Sequence, residues 1–127
     1  MPVTGMGGYL FRAHDPVALK AWYRDHLGVG AGMGTDPATG EPDEWAWHTQ
    51  AGPMVFEPFK ADSSYFAADK QAMINLRVRD LAGLLAKLRS AGIAISREET
   101  MDGVGRFARI HDPEQNAIEL WEPAAAG

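Results

Sequence analysis

The residue types that most often carry enzyme chemistry are sparse in this sequence and form no standard catalytic pattern. With no cysteine, the chain cannot use a thiolate nucleophile, a disulfide or a Cys-based metal site. Its serines are scattered, and its glycine-rich segments lack the pattern that cradles phosphate ahead of a helix. The histidines have no metal-ligand spacing; they are His14, His26, His48 and His111. We expect structural roles for them, with His48 the best exception.

Aromatic side chains are the second group that could contribute to a site. Trp45 and Trp47 alternate with Ala46 and His48, so both indoles should lie on one face of a strand, with His48 close by. Such rings could stack on a flat ligand, or they could pack in the core or at a dimer interface. The candidates are Trp45, Trp47, Phe59, Tyr65, Phe66 and Trp121.

An internal repeat indicates which elements must position these residues. Phe11 to Asp15 and Leu76 to Asp80 carry similar residues 65 positions apart, and a glycine follows each segment, at positions 28 and 92. Two approximate halves favour duplication of one unit over a solenoid, which needs three or more stacked repeats. The alternative is chance similarity between two amphipathic helices.

Each half has a helix with recognisable ends. Asp15 and Pro16 suit the N-cap and first position of a helix that ends at Gly28, and Asp80 and Gly92 bound the second helix in the same way. Short strands are expected around them. The predicted strands cover residues 6–13, 29–34, 44–49, 53–59, 72–78, 93–98, 105–111 and 116–122, and residues 60–70 connect the halves.

Alternation predicts which strand face meets the helices. Ile74, Leu76 and Val78 form an apolar face, whereas Met73, Asn75 and Arg77 point the other way. In the last strand, Ile118 and Leu120 alternate with Glu119 and Trp121; in the first, Tyr9 and Phe11 should face the helix. Polar residues on the helix-free face imply a cavity or an interface.

These features resemble the vicinal oxygen chelate superfamily, the group of glyoxalases, bleomycin-resistance proteins and extradiol dioxygenases. The resemblance rests on the two-copy pattern, on Ala21 to Gly28 (AWYRDHLG) and on Arg106 to Glu122 (RFARIHDPEQNAIELWE). It implies an α+β fold of two βαβββ modules, forming an open curved sheet around a cavity. We expect one glyoxalase-like domain over residues 1–127, with modules at 1–60 and 71–127 joined by residues 61–70.

The resemblance also implies four metal ligands, and this chain departs from that set. The corresponding positions are Gly8, Glu57, Met73 and Glu119. Glycine has no side chain, and a thioether is a soft, weak ligand for the Ni, Zn, Mn or Fe that such proteins use. We therefore expect an incomplete site, in which the two carboxylates alone could hold a divalent metal weakly.

The same positions suggest roles in catalysis and ligand binding. Glu57 and Glu119 could form a proton-transferring pair if they face each other, although each could equally be a solvated or ion-paired carboxylate. Arg12 matches a position that binds a substrate carboxylate in glutathione-using relatives. Those relatives also use an asparagine that assists glutathione binding, and the corresponding residue here is Ala61. The substrate-binding candidates are Arg12, Trp45, Trp47, His48, Asn75, Arg77 and Trp121.

Composition limits the partners. Twelve basic and seventeen acidic residues give a net charge of −5, which disfavours nucleic acid and anionic membranes. The sequence has no apolar run long enough to span a bilayer and no basic secretory start, so we expect a cytoplasmic protein, and relatives suggest a homodimer. The expected function is a glyoxalase-like lyase or isomerase acting on, or binding, a small oxygen-bearing molecule. The alternative is a metal-free protein that sequesters an aromatic ligand.

Overall fold

A computed structural model describes residues 9–29, 49 and 54–125 of the chain. It contains helices α1 (Pro16–Leu27) and α2 (Leu81–Ser90). The strands are β1 (Ile74–Arg77), β2 (Arg97–Met101), β3 (Gly105–His111) and β4 (Ala117–Pro123). The described chain is thus mixed α+β, as the sequence predicts, and none of its helices is long and apolar enough to cross a membrane.

Both helices begin at the predicted aspartates. Asp15 accepts a hydrogen bond from the amide of Ala18 at 3.1 Å, and Asp80 accepts one from the amide of Gly83 at 3.2 Å, so each satisfies an amide that the first helical turn leaves open. Gly28 ends α1 with a left-handed φ of 68°. Gly92, with φ 78°, follows the last turn of α2. The predicted helix boundaries are confirmed.

The strands form one open sheet in the order β1-β4-β3-β2. β1 runs parallel to β4, and the other two pairs are antiparallel. A turn at residues 112–116 joins β3 to β4, as the Asp-Pro sequence predicts. Because β1 lies beside β4 rather than beside β2, the chain crosses the sheet through α2 between its first two strands.

The core lies between one face of this sheet and both helices. The strand residues of the core are apolar and alternate with exposed or half-buried ones, and the helices contribute Leu19, Tyr23 and the leucines of α2. The strand residues of this core cluster are Leu76, Ala108, Ile110, Ile118 and Leu120. The predicted alternation of β1 and β4 is therefore confirmed, and the opposite face of the sheet carries no helix among the described residues.

A buried carboxylate ties α1 to the turn between β3 and β4. Asp112 is 1% exposed and accepts hydrogen bonds from the Tyr23 hydroxyl at 2.7 Å, from both nitrogens of Asn116, and from the amide of Glu114. The Glu114 carboxylate in turn accepts from the amides of His14 and Asp15, just ahead of α1. Burial, then the hydrogen bond to Asp112, raises the pKa of Tyr23. We call these groups the Asp112 cluster.

Some predicted strands differ from the structure. Residues 9–13 and 54–59 form no strand, although the sequence predicts strands there. Ile93 and Ile95 pack against the core outside any strand, so the strand predicted at 93–98 begins at Arg97 instead. The strands predicted at 29–34 and 44–49 lie outside the described residues except for their ends. The duplication therefore remains a prediction.

Candidate functional site

The helix-free face of the sheet brings polar and aromatic side chains into two adjacent rows. Register places Asn75, Glu119, Arg109 and Arg97 side by side across β1, β4, β3 and β2. We call this set the polar row. Two residues further along the strands, Arg77, Trp121, Phe107 and Glu99 form the next line, the aromatic row. Side chains two positions apart share a face, so both rows project away from the helices.

The aromatic row is already stacked. The Arg77 guanidinium lies 4.6 Å from the centroid of the Trp121 ring, within cation–π range. The Phe107 and Trp121 rings are parallel within 1°, with centroids 5.9 Å apart. The indole nitrogen of Trp121 donates to the carbonyl of Val104 at 3.1 Å. These contacts fix the orientation of Trp121, which stays half-buried.

The polar row is centred on Glu119. One carboxylate oxygen accepts a hydrogen bond from Asn75 Nδ2 at 2.8 Å, and the other accepts one from the Tyr65 hydroxyl at 2.5 Å. Burial, followed by the hydrogen bond and charge of Glu119, raises the pKa of Tyr65, while the nearby arginines act in the opposite direction. The phenol is therefore the donor at neutral pH, and Glu119 is the acceptor.

Tyr65 reaches this row from the turns and bends of residues 60–70, ahead of β1. Its ring centroid lies 4.5 Å from the Arg109 guanidinium carbon and 5.3 Å from that of Arg97. Its carbonyl accepts a hydrogen bond from Arg109 at 2.6 Å, and Arg97 also pairs with Glu99 at 2.9 Å. Beside the ring lies an open depression of about 480 Å³, formed by residues 62–68 and Arg109.

At the predicted metal positions that the structure describes, Glu119 and Met73 contact other side chains and Glu57 is exposed. Both oxygens of Glu119 are engaged by Tyr65 and Asn75, and the sulfur of Met73 lies 3.4 Å from a nitrogen of the Arg109 guanidinium, a cation that would repel a second one. Glu57 is exposed in a segment that forms no strand. Within residues 9–29, 49 and 54–125, no three His, Asp or Glu side chains gather as a metal site would require.

The structure groups some of the residues predicted to form the site. Asn75, Arg77, Glu119 and Trp121 share the helix-free face, whereas Arg12 is exposed ahead of α1. The other predicted positions, Gly8, Trp45, Trp47 and His48, lie outside the described residues. The roles of all these residues remain predictions.

Sequence reasoning missed four members of the two rows, namely Phe107, Arg109, Arg97 and Glu99, and undervalued Tyr65. Phe107 and Arg109 alternate with the buried Ala108 and Ile110, so the period of two could have placed them on the helix-free face. Arg97 gives no such signal because every residue of β2 is exposed. Tyr65 is among the aromatic candidates, but its contact with Glu119 joins a loop to a strand, which periodicity does not report.

Comparison with known proteins identifies a matching family and similar structures. The family model described as "Glyoxalase/Bleomycin resistance protein/Dioxygenase superfamily" matches residues 5–120. A search of curated proteins found no match. TnmS3, an antibiotic binding protein from Streptomyces sp. CB03234, is similar in structure, with a TM-score of 0.64 at 18% identity over 98% of this chain and 99% of that one.

Two further solved structures share the fold. A lactoylglutathione lyase from Agrobacterium tumefaciens has a TM-score of 0.59 at 17% identity, over 96% of each chain. A superfamily member from Sphaerobacter thermophilus DSM 20745 has a TM-score of 0.56 at 15% identity, over 96% of this chain and 99% of that one. Together with the family-model match, these structures confirm the predicted resemblance: the chain belongs to the glyoxalase/bleomycin resistance protein/dioxygenase superfamily.

Proposed function

We propose that this protein binds a small aromatic molecule with oxygen substituents on the helix-free face, through side-chain contacts rather than a bound metal. The observation that carries the proposal is the adjacency of the two rows: stacked rings of Phe107 and Trp121 lie beside the hydrogen-bonding groups of Asn75 and Glu119. A ligand with an apolar ring and polar substituents can use both rows at once.

The physical terms for such binding are present. Apolar ligand area removed from water contributes roughly 25 cal/mol per Å², and ring contacts or a guanidinium over a ring add about 0.5–1.5 kcal/mol each. The fixed orientation of Trp121 lowers the entropic cost of forming those contacts. Asn75, Glu119 and Arg109 supply both donors and acceptors, which would orient the oxygen substituents. The similarity in fold to TnmS3, an antibiotic binding protein, is compatible with this class of ligand.

A lyase or isomerase is the second candidate, because Glu119 lies at the centre of the polar row and could accept a proton from a bound molecule. The similarity to a lactoylglutathione lyase favours this candidate only by likeness of fold. Under it, Glu57 would act with Glu119, and a weakly held divalent metal would be possible. Turnover abolished by Glu119→Gln, with binding retained, would support the enzyme over the binding protein.

The sequence repeat extends the proposal to the whole chain. Residues 1–60 would be the other half of the duplication, and one of its faces would close the cavity over the helix-free face of residues 71–127, either within one chain or across a homodimer. Sedimentation equilibrium of the full chain tests the dimer.

The binding proposal is tested by titration with and without Trp121. A thermal-shift screen of planar, oxygen-bearing aromatic compounds would select a ligand, and calorimetry would give its affinity with and without EDTA. Trp121→Leu should weaken binding about tenfold, from the loss of ring contacts worth about 1–2 kcal/mol, and EDTA should change nothing. Trp22→Leu is the matched control because Trp22 packs against the core, on the other side of the sheet. Equal effects of the two variants, or binding that EDTA abolishes, would refute the proposal.

A further inference from the structure

The segment of residues 60–70 places a phenol where a ligand of the proposed site would make its strongest polar contact. The hydroxyl of Tyr65 donates to Glu119 at 2.5 Å, and its ring lies 4.5 Å from the Arg109 guanidinium. A hydrogen bond to an ionised acceptor is about twice as strong as a neutral one. The most favourable acceptor of the polar row is therefore already in use by the chain itself.

A second tyrosine in the same protein shows what a permanent contact of this kind looks like. Tyr23 also donates to a carboxylate, but it is 8% exposed in the core, and its acceptor Asp112 is 1% exposed and receives further hydrogen bonds from Glu114 and Asn116. Neither Tyr23 nor Asp112 can leave without opening the core.

Tyr65 differs from Tyr23 in its burial and in the kind of segment that carries it. It is half-buried and belongs to a segment of turns and bends rather than to a helix or strand. Within the segment the Tyr65 amide donates to the Ser63 hydroxyl at 3.2 Å, and the backbone is joined to the sheet where the Tyr65 carbonyl accepts a hydrogen bond from Arg109 at 2.6 Å, a bond that leaves the ring itself free of the core. The open depression of about 480 Å³ beside it is formed by the same segment and Arg109. The ring can therefore move without disturbing the core.

We infer that the ligand is a phenol and that the Tyr65 side chain occupies its place at Glu119 when no ligand is bound. Binding of the ligand then displaces Tyr65 from Glu119. This inference rests on the proposed function and adds to it a ligand class and a gate. The incoming hydroxyl takes over the hydrogen bond to Glu119, and its ring takes the place of Tyr65 over Arg109. No covalent bond is made or broken, so the exchange needs no co-reactant.

If the ligand displaces Tyr65, a conservative substitution of Tyr65 should strengthen ligand binding rather than weaken it. Tyr65→Phe removes the competing hydroxyl, so affinity for a phenol should rise, by about fourfold, which corresponds to a net hydrogen bond of about 0.8 kcal/mol in this half-buried loop. If Tyr65 instead contributed a wall or a hydrogen bond to the ligand, the same variant would weaken binding. Tyr9→Phe is the matched control, since Tyr9 lies ahead of α1, and it should leave the affinity unchanged within about twofold.

The experiment uses 4-cyanophenol and its methyl ether, 4-methoxybenzonitrile, titrated against the full chain labelled with 3-fluorotyrosine. The chain has three tyrosines, and the ¹⁹F signal lost in Tyr65→Phe identifies Tyr65. In wild type the phenol should shift that signal while the Tyr23 signal stays in place, and the phenol should bind more tightly than the ether. An affinity that falls or stays equal in Tyr65→Phe, or equal affinities for phenol and ether, would overturn the inference.

The two proposals fail in different ways. If aromatic ligands bind and depend on Trp121 while Tyr65→Phe gives no gain, the proposed function stands and the displacement of Tyr65 is wrong. If neither wild type nor Tyr65→Phe binds any aromatic probe, both are wrong.

Discussion

Removing one hydroxyl from the Asp112 cluster should measurably loosen the attachment of α1. Tyr23→Phe keeps the buried ring and deletes a 2.7 Å hydrogen bond to a carboxylate that is 1% exposed. A hydrogen bond to a charged group contributes about 1.5–3 kcal/mol. Because Asn116 and the amide of Glu114 still bond to Asp112, we expect a loss of about 2 kcal/mol in the free energy of unfolding. For a chain of this size the melting temperature should fall by roughly 5–12 °C.

Urea unfolding followed by circular dichroism measures this loss, and an unchanged m-value would show that the unfolded state is unaffected. The matched control is Tyr65→Phe, which deletes the same kind of bond from a half-buried loop and should cost less than about 1 kcal/mol. A double-mutant cycle with Asp112→Asn isolates the pair. Equal losses at Tyr23 and Tyr65, or no coupling between Tyr23 and Asp112, would refute the structural role given to the cluster.

Two further predictions concern the backbone and the pH dependence of folding. Gly105 has φ 137°, and a Cβ there would lie 2.2 Å from the carbonyl oxygen of Glu122, whereas Gly103 has φ 76° and open space around it. Gly105→Ala should therefore lower the free energy of unfolding by about 2–4 kcal/mol and Gly103→Ala by about 1 kcal/mol, and equal losses in urea would contradict the close approach. Hydrogen bonds from the two amides ahead of α1 lower the pKa of the Glu114 carboxyl from 4.5. Because the pKa is lower in the folded state, the ionised carboxylate stabilises the fold above pH 4.5, and this stabilisation is lost as the pH falls through the folded-state pKa. The stability difference between wild type and Glu114→Gln, from urea unfolding on both sides of pH 4.5, should shrink on acidification, and a difference that grew would disprove this sign.

The sequence predicted those parts of the fold that depend on local chemistry. Asp15, Asp80 and Gly28 fix helix ends through side-chain caps and a left-handed φ, which are properties of a few adjacent residues. β3 and β4 alternate because one face is buried. β2 could not be located in this way, since its charged sequence is exposed throughout and becomes a strand only by pairing with β3.

The candidate site was less accessible to prediction, for a physical reason. Asn75, Glu119 and Trp121 share a face because they lie on neighbouring strands with a period of two, and alternation reports this. The partner of Glu119 is Tyr65, which comes from a loop, and loop paths are set by contacts distant in sequence. The metal positions implied by the family resemblance were useful mainly because this chain lacks the usual ligands there. Met73 stands at one of these positions, and its sulfur lies beside the guanidinium of Arg109.

The bonds between α1 and the last hairpin also set an order of events in folding. The amide of His14 and the carboxylate of Glu114 that binds it are 100 residues apart, and Tyr23 is 89 residues from Asp112. During synthesis α1 emerges early, but its anchor exists only after the turn at residues 112–116 has been made. Folding is slowed because this long loop must close before the contacts between its ends can form. A nascent chain that stalls before that turn would therefore carry α1 undocked, with Leu19 and Tyr23 exposed to chaperones.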